Sequence, residues 1–287
     1  AQTLTSSEQL KQTDSSPQSA PRAASVKVDA AATPYWVDAK SYYDANGSFS
    51  REDGNLDSYR ADLTFSGDKV MITNLVNLGN FEATSTSPLE GTYDSAAKTI
   101  TINTPEYDSE RAVSDYTHYG DVSYFGYDCS IVLFAGEFST KPDKNGQYAL
   151  ETTDKLVFDV SDDLSTITPR TGFGLWVFDK KTASSFGCVK FYQGGTVGIE
   201  KMPDEAKLAF VPSSVHFEGP NVTVGTILKR SIRLVNKGLK ATDYTGRVDG
   251  DDLKLAVYQS IDAGSVQEVY IELNPTKAGA YSGSVQV

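Results

Sequence analysis

Leu63-Thr-Phe-Ser-Gly-Asp-Lys-Val-Met-Ile-Thr-Asn-Leu75 decides the fold class. Ala61, Leu63 and Phe65 alternate with Asp62 and Thr64. Ser66-Gly67-Asp68 then breaks the run, and Val70 and Ile72 resume it against Lys69, Met71 and Thr73. Period two on both sides of a Gly-Asp break specifies an antiparallel hairpin with one apolar face. Glycine supplies the positive φ that a tight turn demands at no steric cost.

The same device recurs on either side. Tyr35 to Tyr43 reads as an aromatic entry strand, followed by a polar loop over 44–57 with Gly47 and Gly54. Glu90 to Tyr93 and Thr99 to Ile102 flank Asp94-Ser-Ala-Ala-Lys98 as a second hairpin. Tyr127 to Phe138 is apolar on both parities, which predicts burial on both faces. Leu156, Phe158 and Val160 alternate before a Ser161-to-Asp163 turn. Phe173 to Phe178 and Val189 to Tyr192 are aromatic strands, and Gly194-Gly195 turns the chain into Val197 and Ile199. From Pro34 to about Met202 the pattern is that of an up-and-down β-barrel. No segment keeps a helical period over about a dozen residues.

Composition narrows the function. A chain of 287 residues suits two domains, and 39% hydrophobic with 22% charged residues is globular. No apolar run approaches the ~18 residues of a membrane helix, so no transmembrane segment is expected. The net charge of −12 repels phosphate backbones, which argues against nucleic acid as a partner. That charge sits in residues 31–205, with 27 acids and 14 bases, whereas 206–287 carry eight acids and nine bases. The shift supports a division into a tail over 1–30, a barrel domain over 31–205 and a second domain over 206–287.

Ala1 to Ala24 is rich in Ser, Gln, Thr, Ala and Pro and too poor in apolar surface to order by itself. It reads as the start of a mature exported chain after cleavage at a small-residue site, or as a cloned internal fragment. Ala24-Ser-Val-Lys-Val-Asp29 has weak strand alternation and could add to another subunit's sheet edge. Cys129 and Cys188 are the only cysteines. They read either as one disulfide of an exported protein or as two small buried hydrophobes. Neither has a Cys or His at ligand spacing, so no metal is expected.

Beyond a Met202-to-Lys207 linker the pattern changes. Val215-His-Phe217 reads as a short strand and Val222 to Gly225 precedes a turn. Arg230 to Gly238 alternates with Ile232 and Leu234 inward, as do Leu253, Leu255 and Val257, and then Val269, Ile271 and Leu273. With Tyr281 to Val287 this predicts a small immunoglobulin-like β-sandwich without an inter-sheet disulfide.

Two resemblances carry further expectations. The Leu63-to-Leu75 hairpin followed by Leu89-Glu-Gly-Thr-Tyr-Asp-Ser-Ala-Ala-Lys-Thr-Ile-Thr-Ile102 resembles the calycin-like, lipocalin-related barrel modules of exported Bacteroidota proteins. It implies a protein that is periplasmic, outer-membrane-associated or extracellular. Asp94-Ser95-Ala96 is also similar to that phylum's short O-glycosylation site, which would modify Ser95; the same residues read as a plain hairpin turn. Val224-Gly-Thr, Ile232 to Gly238 and Ile271-Glu-Leu-Asn-Pro-Thr-Lys-Ala-Gly-Ala-Tyr-Ser-Gly283 resemble the hydin-like and major-sperm-protein-like Ig domains of bacterial surface proteins. Such domains act as spacers.

Reaction chemistry is not evident. His118 and His216 are the only histidines, and His216 is expected to face solvent. No nucleophile elbow or phosphate-cradling glycine loop occurs. Asp249-Gly-Asp-Asp252 lacks the spaced ligands and distal Glu of a calcium loop and reads as a solvated turn. No catalytic residue and no cofactor are therefore expected. Trp36 and Trp176 are expected in the core. The segment that points to binding is Tyr107 to Tyr127, with Tyr107, Tyr116, His118, Tyr119, Tyr124, Phe125 and Tyr127. Tyrosine joins a large apolar ring to a polar tip, which suits sugar or peptide surfaces; the alternative is a loop whose rings are local core. Three functions follow: an exported non-enzymatic binding or adhesion module for other surface proteins or glycans; a self-assembling structural subunit that exchanges its tail strand; or the accessory region of an enzyme whose catalytic domain lies past Val287.

Overall fold

The computed structural model of the chain describes residues 31–42, 55–79, 81–141, 144, 149–217, 223–250, 252–256 and 259–287. The tail over 1–30 and most of the loop after the entry strand lie outside these residues. The chain divides into two compact units, Ala1–Lys201 and Met202–Val287.

Among its described residues the regular structure of the first unit is strand, with two single-turn 3-10 segments. Its strands are β1 (Thr33–Tyr42), β2 (Asn55–Ser66), β3 (Lys69–Thr73), β4 (Ser85–Thr86), β5 (Leu89–Asp94), β6 (Thr99–Asn103), β7 (Thr117–Tyr124), β8 (Tyr127–Phe138), β9 (Leu150–Thr153), β10 (Lys155–Val160), β11 (Thr166–Pro169), β12 (Gly172–Asp179), β13 (Ser185–Tyr192) and β14 (Gly198–Lys201). Eight of them, β1-β2-β3-β5-β6-β10-β11-β14, form an antiparallel barrel that closes where Tyr35 to Asp38 of β1 pair with Lys201 to Gly198 of β14. The far end of β1 leaves the barrel and pairs Ser41 with Tyr192 of β13. From there the sheet continues as β13-β12-β8-β7-β4, with β9 on β8.

The opening hairpin forms as its alternation specifies. Leu63 faces Ile72 and Phe65 faces Val70, so the apolar set shares one face. Gly67 takes φ 64 at the first turn position while Asp68 stays at negative φ, the II′ pattern that suits strand twist. In the second hairpin Asp94 pairs with Thr99. The Asp94 carboxylate accepts the amides of Ala96 and Ala97 at 2.9 and 2.8 Å, which closes the turn.

Side chains fill the barrel. A void lined by Leu63, Ile72, Ile100, Phe158, Ile167 and Ile199 among others measures about 10 Å³, too small for anything beyond a single water. The segment Leu75 to Asn77 is held by three tyrosine hydroxyls. Tyr59 donates to Leu75 O at 2.7 Å, Tyr119 donates to Val76 O at 2.5 Å, and Tyr192 accepts the Asn77 amide at 3.3 Å. Tyr192 in turn donates to Asp57, which pairs with Lys190 at 2.5 Å in a mostly buried site. Burial pushes the Tyr59, Tyr119 and Tyr192 hydroxyls well above their ordinary pKa, so they remain donors.

Strand β8 is buried from Cys129 to Gly136, as its two-parity apolar run predicts. Ile131 and Leu133 join the barrel core, whereas Val132 and Phe134 join a second cluster on the outer face with Trp176, Phe178, Val113 and Tyr116. Trp36 is buried as well. The disulfide is not made. Cys129 and Cys188 are both free and buried. Strand β12 separates them, Cys129 standing opposite Asp179 and Cys188 opposite Trp176. Their side chains enter opposite clusters. Two inter-strand spacings are about 9–10 Å, beyond the ~7 Å that a disulfide bridges.

In the second unit Leu208–Val211, Leu228–Asn236, Val266–Leu273 and Leu253–Ala256 form an antiparallel sheet in that order. Two short ribbons accompany it: Thr242–Asp243 with Ser260–Ile261, and Arg247–Asp249 with Ser284–Gln286. Ile232 and Leu234 point into the core with Val269, Ile271, Tyr244 and Ile261. Asn236 is fully buried and pins the turn after its strand. Its side chain accepts the amides of Lys207 and Gly238 and donates to Lys240 O and Asp262 O. Val215 to Phe217 are not a strand, because Pro212 has no amide to continue the ladder past Val211. His216 is exposed, as expected. Val222 and Val257 lie outside the described residues.

Candidate functional site

The seven residues singled out in the Tyr107-to-Tyr127 segment fall into four different environments. Tyr116 is core, and Tyr107 packs half-buried against the same cluster. Their rings stack 6.4 Å apart, and Tyr116 meets Phe134 edge-on at 5.1 Å. The Tyr116 hydroxyl donates to Asp108 O at 2.6 Å and accepts the Asp108 amide, so its polar tip is satisfied locally. Burial raises its pKa. Tyr119 belongs to the barrel core and holds the Val76 segment. Tyr116 and Tyr119 are buried packing residues, and Tyr107 is partly buried against the same cluster as Tyr116.

His118 stands on the exposed face of β7. Its Nε2 lies 3.2 Å from Asp121 and its Nδ1 lies 3.4 Å from Ser87 Oγ. The order Ser-His-Asp invites comparison with a nucleophilic triad, but the surroundings differ. Lys180 engages Asp121 at 2.9 Å and Asp128 at 2.8 Å, and Ser85 donates to Asp121 at 2.9 Å. The Thr84 and Ser87 amides donate to Asp121 O and Tyr119 O, so neither is free to hold an oxyanion. The cluster is a surface ion-pair network. Lys180, then His118 and Ser85, hold the Asp121 carboxyl down to about 2.

Tyr124 and Tyr127 meet at the tip of the β7–β8 hairpin, where they pair across the turn Phe125-Gly126. Both turn residues have positive φ, 48 at Phe125 and 84 at Gly126, the I′ geometry. That turn favours Asn-Gly; a bulky aromatic in the left-handed region is uncommon and costs of order 1–3 kcal/mol. Phe125 is 73% exposed and Tyr127 51% exposed. Beneath them the rings interlock. Tyr124 meets Phe125 at 4.5 Å and Phe186 at 5.5 Å, Tyr127 meets Phe186 at 5.3 Å, and Phe81 lies 6.4 Å from Tyr124. The tip is thus an aromatic platform with two solvent-facing rings on a buttressed base.

Phe81 and Phe186 were not legible as site residues, since each lies in a distant segment. Lys180 was missed for the same reason. The readable signal was Tyr124-Phe-Gly-Tyr127, an aromatic-rich two-residue turn.

The other sequence motifs resolve into turns. Ser95 is exposed at its hairpin apex. Asp163 accepts from Ser161 and the Ser165 amide, which holds its carboxyl at about 2 through hydrogen bonds from Ser165 and Ser161. Asp252 accepts from Thr276 Oγ1 at 3.1 Å, and Asp251 lies outside the described residues. Among the described residues no group of three His, Cys, Asp or Glu is placed to hold a metal ion, and no helix is long and apolar enough to cross a membrane. No protein-family model, curated protein or solved structure matches this chain.

Proposed function

We propose that this chain is an exported, non-enzymatic binding module of a Bacteroidota-type cell surface, which meets glycans or other surface proteins at the β7–β8 hairpin tip. In this reading the barrel is a calycin-like module that works from its outside. The second unit is an immunoglobulin-like sandwich that acts as a spacer. The carrying observation is Phe125, exposed and held at φ 48 where Asn or Gly would be easier. Residues that keep local strain in the open are candidates for contact with something else. The filled barrel supports a surface site over an internal one. The acidic first unit disfavours anionic ligands, so neutral glycans and neutral or basic protein surfaces fit best.

The test is retention of labelled chain on intact Bacteroidota cells and on an array of neutral and acidic glycans. Phe125→Ala with Tyr127→Ala is expected to lower retention about tenfold or more, since aromatic contacts contribute roughly 1 kcal/mol or more each. Tyr116→Phe, a core change, serves as the control. Retention unchanged by the double variant sinks the tip as the site.

A further inference from the structure

The second unit leaves a groove open along its sheet. Its volume is about 780 Å³, and Phe210, Phe217, Ile232, Leu253, Ile271 and Leu273 line it. Residues 277–285 form another part of its wall. Ser284–Gln286 pairs with Arg247–Asp249 on one side and has no second strand neighbour among the described residues. Val224, on the groove lining, is 48% exposed. An apolar groove beside an unpaired strand edge is the setting for strand addition: backbone hydrogen bonds satisfy the edge and alternate side chains enter the groove.

We propose that this groove receives residues 24–30 of a second copy of the chain, added as a strand to the Ser284–Gln286 edge. The donor has the required period. Val26 and Val28 alternate with Ser25, Lys27 and Asp29, so an extended segment presents two valines to the groove and three polar side chains to water. Seven extended residues span about 23 Å, enough to run along such a groove. Charge does not oppose the contact, because residues 1–30 carry three acids and three bases and 206–287 carry eight acids and nine bases. In sequence the donor segment ends at Ala30, three positions before Thr33, where β1 begins. Repetition of this head-to-tail contact gives a chain of subunits unless it closes into a ring.

Sedimentation velocity of the full chain over a wide concentration range tests this. Concentration-dependent association is expected, and it is expected to vanish on deletion of residues 1–30 and in Val26→Asp with Val28→Asp. Val224→Asp, at an exposed position, is expected to weaken association about tenfold with circular dichroism unchanged. A synthetic peptide of residues 24–30 is expected to bind the deleted chain and to compete with full-length association. A monomer at every concentration overturns the proposal, as does association that survives the deletion. Association that needs the tail but ignores both Val224→Asp and the competing peptide removes the groove as acceptor.

Discussion

The two units solve the same problem with different completeness. In the first, eight strands close on themselves, so each barrel edge is paired and the interior void shrinks to about 10 Å³. In the second, a four-stranded sheet and two short ribbons leave a groove of about 780 Å³. Closure removes edges and lets side chains from all strands converge. An open sheet depends on whatever covers its free face. The same contrast runs between the two ends of the Tyr107-to-Tyr127 segment: Tyr116 and Tyr119 are inside, while Phe125 and Tyr127 face water.

Single substitutions put this difference between the units to the test. The largest effect is expected for Phe134→Ala, which empties a fully buried site among Tyr107, Tyr116, Trp176 and Phe178. It should cost about 3–5 kcal/mol in urea unfolding. Ile271→Ala borders an open groove and loses fewer contacts, so about 2 kcal/mol is expected, near the low end for such changes. Equal costs at the two sites would erase the packing contrast.

Tyr119→Phe removes the hydroxyl that serves both the amide and the carbonyl of Val76. Leaving buried backbone groups unpaired should cost roughly 1–2 kcal/mol, read as a lower urea midpoint at unchanged slope. Phe125→Asn has the opposite sign. Asn-Gly suits a I′ turn, so relief of backbone strain should raise stability by about 0.5–1 kcal/mol while binding at the tip is lost. A variant that gains no stability would mean that the turn is unstrained.

The smallest effect concerns acid. The Asp121 carboxyl lies near 2 in the folded chain against 3.8 unfolded. A depressed carboxylate stabilises fully above its unfolded value and loses that stabilisation as pH falls from about 4 to about 2. Asp121 is partly exposed, so solvent screens the effect. Asp121→Asn should flatten the acid limb of stability in that window and leave pH 7 behaviour of the hairpin tip unchanged.

The all-strand class, the two opening hairpins and the double-sided burial of β8 were all present in local pattern. Alternation at Leu63 to Ile72 fixes which side chains share a face, and the Gly67 break fixes where the chain reverses. Such information is short-range, so a sequence carries it openly. Barrel closure was not so readable in detail: β1 divides its length between β14 and β13, partners about 150 to 165 residues away in the chain. The fate of the tyrosines was hidden by a register shift. The β7–β8 ladder slips between His118 and Gly120, and this sends Tyr119 and Val122 to one core although their parities differ. Likewise the cysteines share strand-like surroundings in sequence, but only the intervening β12 separates them.

By itself, then, the amino-acid order determined strands, turns and the acidic character of the first unit, because these depend on neighbours and on charge alone. The three-dimensional arrangement decided which rings are core and which meet solvent. A tyrosine is compatible with either, and only distant strands such as β12 and β13 determine how much water reaches it.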